Sequence, residues 1–142
     1  MMQRYPAVVI RSLEEARACL RVGVPVTLLS EQGAGLYAGC GWWGGVVAAA
    51  RAAYPGTPVQ DVLDCAEGSG QAMAALRMGQ RLLVLDRAAP AWEAVRAAAR
   101  ELGGEVLSGR PAAYQSPVIR RRRSENSGVS ERLVRWLQSC RL

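Results

Sequence analysis

Five short apolar runs, Ala7–Ile10, Val26–Ser30, Val59–Asp64, Leu82–Asp86 and Glu105–Ser108, alternate with segments of helical period through the first 108 residues. Each run is rich in Val and Leu and mostly apolar on both faces. Strands of that kind have no wet side, so they belong in a sheet that helices cover, and such sheets are parallel. Parallel neighbours need a crossover between them, and the crossover is right-handed.

The segments between the runs supply the crossovers. Ser12 and Glu15 form a capping box for a helix from about Ser12 to Val22, with Leu13, Ala16 and Leu20 inward and Gly23 as its stop. A second helix follows a glycine-rich segment and ends near Tyr54. A third spans about Ser69 to Met78, with Ser69 as its cap. A fourth starts at Pro90, places Trp92, Val95, Ala99 and Leu102 on one face, and ends at Gly103-Gly104. The expected fold is α/β, a five-stranded, mostly parallel sheet with helices on both faces, arranged as a flavodoxin-like three-layer sandwich. Half of a (β/α)8 barrel is the alternative. Strand order is not readable.

Charge divides the chain after Ser108. Residues 1–108 hold ten Arg and ten Asp or Glu, whereas residues 109–142 hold eight Arg and two Glu, so the whole +6 excess sits in the last quarter. The expected division is a compact α/β domain over 1–108 and a basic extension over 109–142. That extension carries the run Arg120, Arg121, Arg122, Arg123 and a short helix capped by Ser130, with Leu133, Trp136, Leu137 and Cys140 on one face. The arginine run is a candidate anion-binding tail, with nucleic acid the less expected partner.

Composition removes several chemistries. The chain has no His and no Lys, so all 18 positive charges are Arg. A Ser-His-Asp triad, an imidazole metal ligand, a Schiff-base lysine and a phosphate-loop lysine are all excluded. Cys19, Cys40, Cys65 and Cys140 are widely spaced and form no Cys-x-x-Cys pair, which argues against zinc and for a reduced, cytoplasmic protein. Met1–Pro6 does not read as a signal peptide, and the apolar run Gly41–Ala50 is too short to span a bilayer.

The sites this leaves lie at the strand ends, where parallel sheets bind ligands. Asp64 and Asp86 are the candidate general acid/base pair or Mg²⁺ ligands, with Cys65 a weaker catalytic candidate. Arg11 and Arg87 are placed to hold an anion. After the second strand, Ser30 leads into Gly33, Gly35, Gly39 and Gly41, a spacing near a dinucleotide fingerprint but different from it. These residues are the candidate ligand-binding loop, but close backbone packing is the preferred reading of the same glycines. The helix from Trp42 to Ala53 has one charge, Arg51, and is apolar almost all round. A small domain has difficulty burying every side of such a helix, so Trp42, Trp43, Val46 and Val47 are the expected contact of a homodimer.

The tract Val26–Ser30 with Gly33–Trp43, then Leu63-Asp-Cys65 and Ala75–Gly79, resembles a group of short bacterial α/β proteins of no assigned activity. The resemblance covers about residues 7–108 and implies a fold-sized module and no reaction; it assigns no cofactor, whose identity stays open. Three functions follow. The first is a non-catalytic or regulatory module that binds a small ligand at the strand ends or a protein through the second helix. The second is an enzyme using Asp64 and Asp86 on a phosphorylated or carboxylated small molecule. The third is an anion- or nucleic-acid-binding adaptor working through the tail. The missing catalytic side chains favour the first.

Overall fold

The computed structural model describes residues 4–115 and 126–140. The elements run β1 (Ala7–Val9), α1 (Leu13–Arg21), β2 (Val26–Leu29), α2 (Ala34–Tyr37), α3 (Gly39–Ala53), β3 (Val59–Asp64), α4 (Ser69–Arg77), β4 (Leu82–Val84), α5 (Trp92–Glu101), β5 (Glu105–Leu107), β6 (Ala113–Gln115) and α6 (Asn126–Ser139). Among the described residues, six strands form one all-parallel sheet in the order β5-β4-β3-β2-β1-β6. The α/β class and the parallel sheet agree with the sequence reading. The sheet has one strand more than the five expected.

From β1 to β5 each strand is laid beside the last, always in the same direction. Right-handed crossovers that advance one way deposit their helices on one face. Accordingly the buried residues of α1, α3, α4, α5 and α6 meet Val8, Leu28, Leu63, Leu83 and Val106 in one cluster. The other face gathers Val9, Leu29, Val62 and Val84, and no described helix lies on it. The α/β class and the parallel sheet with its helices stand as the sequence reading has them, and the one-way order collects the helices' buried residues in one cluster. Over β1–β5 it is also the winding of a (β/α)8 half-barrel.

The sheet must curl. A flat sheet would hold β5 and β6 about 24 Å apart, five strand spacings. Leu107 and Ala113 are joined by a chain that reaches at most about 22 Å even when straight. Curling brings Val9, Leu29, Val62 and Val84 of four adjacent strands toward one another, and each is 5% exposed or less.

Residues beyond Ser108 join this same body. Tyr114 and Trp136 stack with ring centroids 5.1 Å apart, and Leu133 and Leu137 are buried in the main core. The helix begins at Asn126 rather than being capped at Ser130. The Arg120–Arg123 run lies outside the described residues. Among the described residues no helix is long and apolar enough to cross a membrane.

Local signals were mostly followed. Ser12 Oγ accepts the Glu15 N–H at 3.2 Å, but the Glu15 carboxylate reaches past Ser12 to the Arg11 N–H at 3.3 Å. Ser69 is not a cap. Gly68 holds that position, and the Ser69 hydroxyl donates to the carbonyl of Pro90 instead. The fourth predicted helix starts at Trp92, two residues past Pro90, behind Ala91 in a left-handed conformation. The glycine-rich segment is no open loop, since Gly35, Gly41, Gly44 and Gly45 all lie within helices.

Candidate functional site

The carboxyl ends of β2 and β3 are locked together by Asp64. Its Oδ1 accepts the Gly33 N–H at 3.1 Å and the Ala66 N–H at 2.8 Å. Its Oδ2 accepts from Arg110 Nη1 at 2.8 Å, and Arg110 Nη2 donates to the Ser30 carbonyl at 3.0 Å. Ser30 Oγ accepts the Asp64 N–H at 2.9 Å. The Asp64 side chain is 2% exposed and that of Arg110 26%. Gly33 and Ala66 have φ of 73° and 47°, a region that costs a residue with a Cβ about 1–3 kcal/mol, and the Asp64 carboxylate holds both N–H groups in place. Every strong acceptor direction of Asp64 is thus spent on backbone geometry and on closing the β5–β6 connection over the strand ends.

The other strand-end candidates are similarly engaged. Asp86 is exposed, and its Oδ1 caps its own turn by accepting the Ala88 N–H at 2.8 Å. Arg87 lies over the Trp92 ring, 5.2 Å from its centroid. Arg11 Nε is paired with Glu31, which also accepts from the Tyr37 hydroxyl at 3.0 Å. The hydrogen bond from Arg11 holds the Glu31 carboxyl below its ordinary range. Among the described residues, Asp64, Asp86, Arg11 and Arg87 are thus each held by a partner within the fold.

Cys65 is buried, and that burial, helped by the Asp64 charge, pushes its thiol up to about 12. Cys19 is pushed to about 12 by burial too. At neutral pH only about one such thiol in 10⁵ is a thiolate. Iodoacetamide should therefore modify the half-buried Cys40 well before Cys65 or Cys19, which should react only on unfolding; mass spectrometry of partially alkylated protein checks this. Between pH 9 and about 12 the unfolded chain releases protons that the folded chain keeps, so stability should fall as pH rises through that window.

The glycines divide into two roles. A Cβ on Gly35 would sit 2.8 Å from Cys65 Sγ and 3.1 Å from the Asp64 carbonyl oxygen, so Gly35 is a packing residue. Gly35→Ala should destabilise the fold by about 1–3 kcal/mol in urea titrations. Gly44 and Gly45 are different: a Cβ on either meets nothing within 4 Å. With Gly41 and Ala48 they form one wall of a groove of about 350 Å³, opposite Ala75 of α4 and Met78 just past its end. Gly39, at φ 88°, marks the break between α2 and α3.

Asp61 closes the groove at one end, and the sequence reading missed it. Its Oδ2 accepts from Trp43 Nε1 at 3.1 Å and Gln80 Nε2 at 3.0 Å, and its Oδ1 from Arg51 Nη2 at 3.0 Å. The signals were present: a carboxylate in a half-apolar strand, and a single charge on an otherwise apolar helix. Trp43 and Val47 are 0% and 4% exposed, which removes them from the expected dimer contact, because the protein's own core uses them. Trp42 stays 38% exposed, and Leu36 and Tyr37 at the end of α2 and Met78 just past the end of α4 are exposed too. No known family model matches the chain, and no curated protein matches it.

Proposed function

We propose that this protein is a non-catalytic binding module whose working surface is the outer face of α3 and the groove it forms with α4. The observation that carries the reading is the pair Gly44 and Gly45. Glycine inside a helix costs up to about 1 kcal/mol relative to alanine. Neither residue has a left-handed φ, and neither has a neighbour that a methyl group would strike. Nothing in the fold calls for these two glycines, so a partner outside it is what they suit. The exposed Trp42 and Met78 beside them support the same reading, since exposed apolar clusters mark interaction sites. The saturated hydrogen bonding of Asp64 and the local turn of Asp86 speak against the enzyme alternative.

Gly44→Ala/Gly45→Ala tests the reading without unfolding the protein. The double variant should melt higher, by the equivalent of about 1–2 kcal/mol, while losing whatever binds the groove. A variant that is stabilised and still binds at full strength would remove the groove from consideration.

A further inference from the structure

We propose that the end of the molecule where the strands begin is a second binding surface, one that takes single-stranded nucleic acid. In an all-parallel sheet every strand starts, and every crossover helix finishes, at the same end. That end carries Arg4 before β1, Arg81 before β4, and Arg21, Arg51, Arg77 and Arg100 in the closing turns of α1, α3, α4 and α5. All six are exposed. Three acids share the end, Asp61, Glu101 and Glu105. Where the strands finish the balance reverses, with seven acids against three arginines. Folding thus sorts a stretch of zero net charge into a basic end and an acidic end.

Helix dipoles favour a basic residue in a last turn. They do not account for Arg4 and Arg81, which lead into strands, or for the shortage of acids around them. Among the described residues, Arg51 is the one of the six that pairs with a carboxylate, and Arg4, Arg77 and Arg100 make neither hydrogen bond nor ion pair. Like charges gathered at one end repel, and a row of phosphates relieves that repulsion.

The same end is shaped for bases. Arg51 and Arg81 line a cleft of about 450 Å³ whose wall includes Tyr5. Arg81 Nη1 donates to the Leu76 and Gln80 carbonyls, and Arg51 Nη2 to the Val59 carbonyl and Asp61. One nitrogen of each guanidinium therefore fixes its position, and the remaining N–H groups are left to offer. Tyr5 is also a wall of the adjoining cleft, about 250 Å³, which Arg4 and Trp136 share. Two neighbouring clefts, each with an arginine and an aromatic ring, meet both needs of a single strand: phosphates to be neutralised and bases to be stacked. A duplex has its bases stacked already and gains nothing from the rings. The arginines spread from β1 to the foot of α5, wider than one small phosphate spans.

The experiment is fluorescence anisotropy on the full chain with labelled oligouridine and oligodeoxythymidine of about 12 nucleotides, and with a duplex of equal length. The single strands should bind more tightly than the duplex, and log K should fall against log salt with a slope of about −3 to −4 if four to six arginines meet phosphates. Arg4→Gln/Arg77→Gln/Arg100→Gln changes three exposed side chains that hold nothing in the fold. It should weaken binding at least about tenfold and make the slope shallower by about 2. Tyr5→Leu should weaken binding at least about fivefold and leave the slope unchanged, a split that general loss of structure would not produce. Arg96→Gln, whose guanidinium lies over Trp92 at the start of α5, should stay within about twofold of wild type. Failure of the single strands to bind, a duplex bound as tightly, or full affinity in either the triple variant or Tyr5→Leu would each overturn the proposal. So would binding lost only on replacing Arg120–Arg123 with glutamine, which would assign it to that run instead. Gly44→Ala/Gly45→Ala should bind the oligonucleotides at full strength, so this surface and the α3 groove stand or fall separately.

Discussion

Replacing Asp64 with alanine is expected to lower stability by about 3–5 kcal/mol, the cost of breaking a buried ion pair and leaving its partner unmatched. The substitution strands Arg110, three-quarters covered, and removes the acceptor for the Gly33 and Ala66 N–H groups, both on left-handed backbone. Arg110→Ala should act in the same direction, because it leaves a carboxylate that is 2% exposed facing no cation. The two changes should not add: once one partner is gone, losing the other costs little, so the double variant should lose well under the sum of the two single losses. Urea titrations of the four proteins, followed by tryptophan fluorescence, give the cycle. Single variants within about 1 kcal/mol of wild type would mean the β5–β6 connection is held by something other than this pair.

Trp43→Ala should cost a similar amount, about 3–5 kcal/mol, for a different reason. The indole is fully buried between α3 and the sheet, and its removal leaves a cavity that rigid neighbours fill only in part. It also takes one of three donors from Asp61, leaving Gln80 and Arg51. Trp43→Phe separates the contributions. It keeps most of the packing and loses the Nε1–H, so it should cost about 1–2 kcal/mol. If the two variants were equally destabilised, the hydrogen bond to Asp61 rather than the packing would dominate.

The strands were legible because each is a short apolar run with a polar residue after it. Val59–Asp64 coincides with β3, and the other four runs overshoot only at their carboxyl ends, where Ile10, Ser30, Asp86 and Ser108 belong to the following turns. β6 was invisible. Ala113-Tyr-Gln115 has no apolar run to announce it, and its strand character comes from Ala7–Val9 on the far side of the sequence. The site was half legible. Asp64 and Gly33 do lie at the strand ends, since polar residues after apolar runs collect there. What they do there was not legible, because the donor that occupies Asp64 is Arg110, 46 residues away. The groove was hidden behind a true regularity: the helix is apolar almost all round, but burial falls on Trp43, Val47 and Ala50, leaving the glycines outward.

The pairing of β1 with β6 also fixes when this protein can finish folding. Ala7 leaves the ribosome more than a hundred positions ahead of its partner Ala113. Until then β1 has β2 on one side only and an unpaired edge on the other, the kind of edge on which nascent chains misassemble. Contacts of that sequence separation slow folding. A chain stopped short of Ala113 would therefore hold most of its core while lacking the strand that closes its oldest edge.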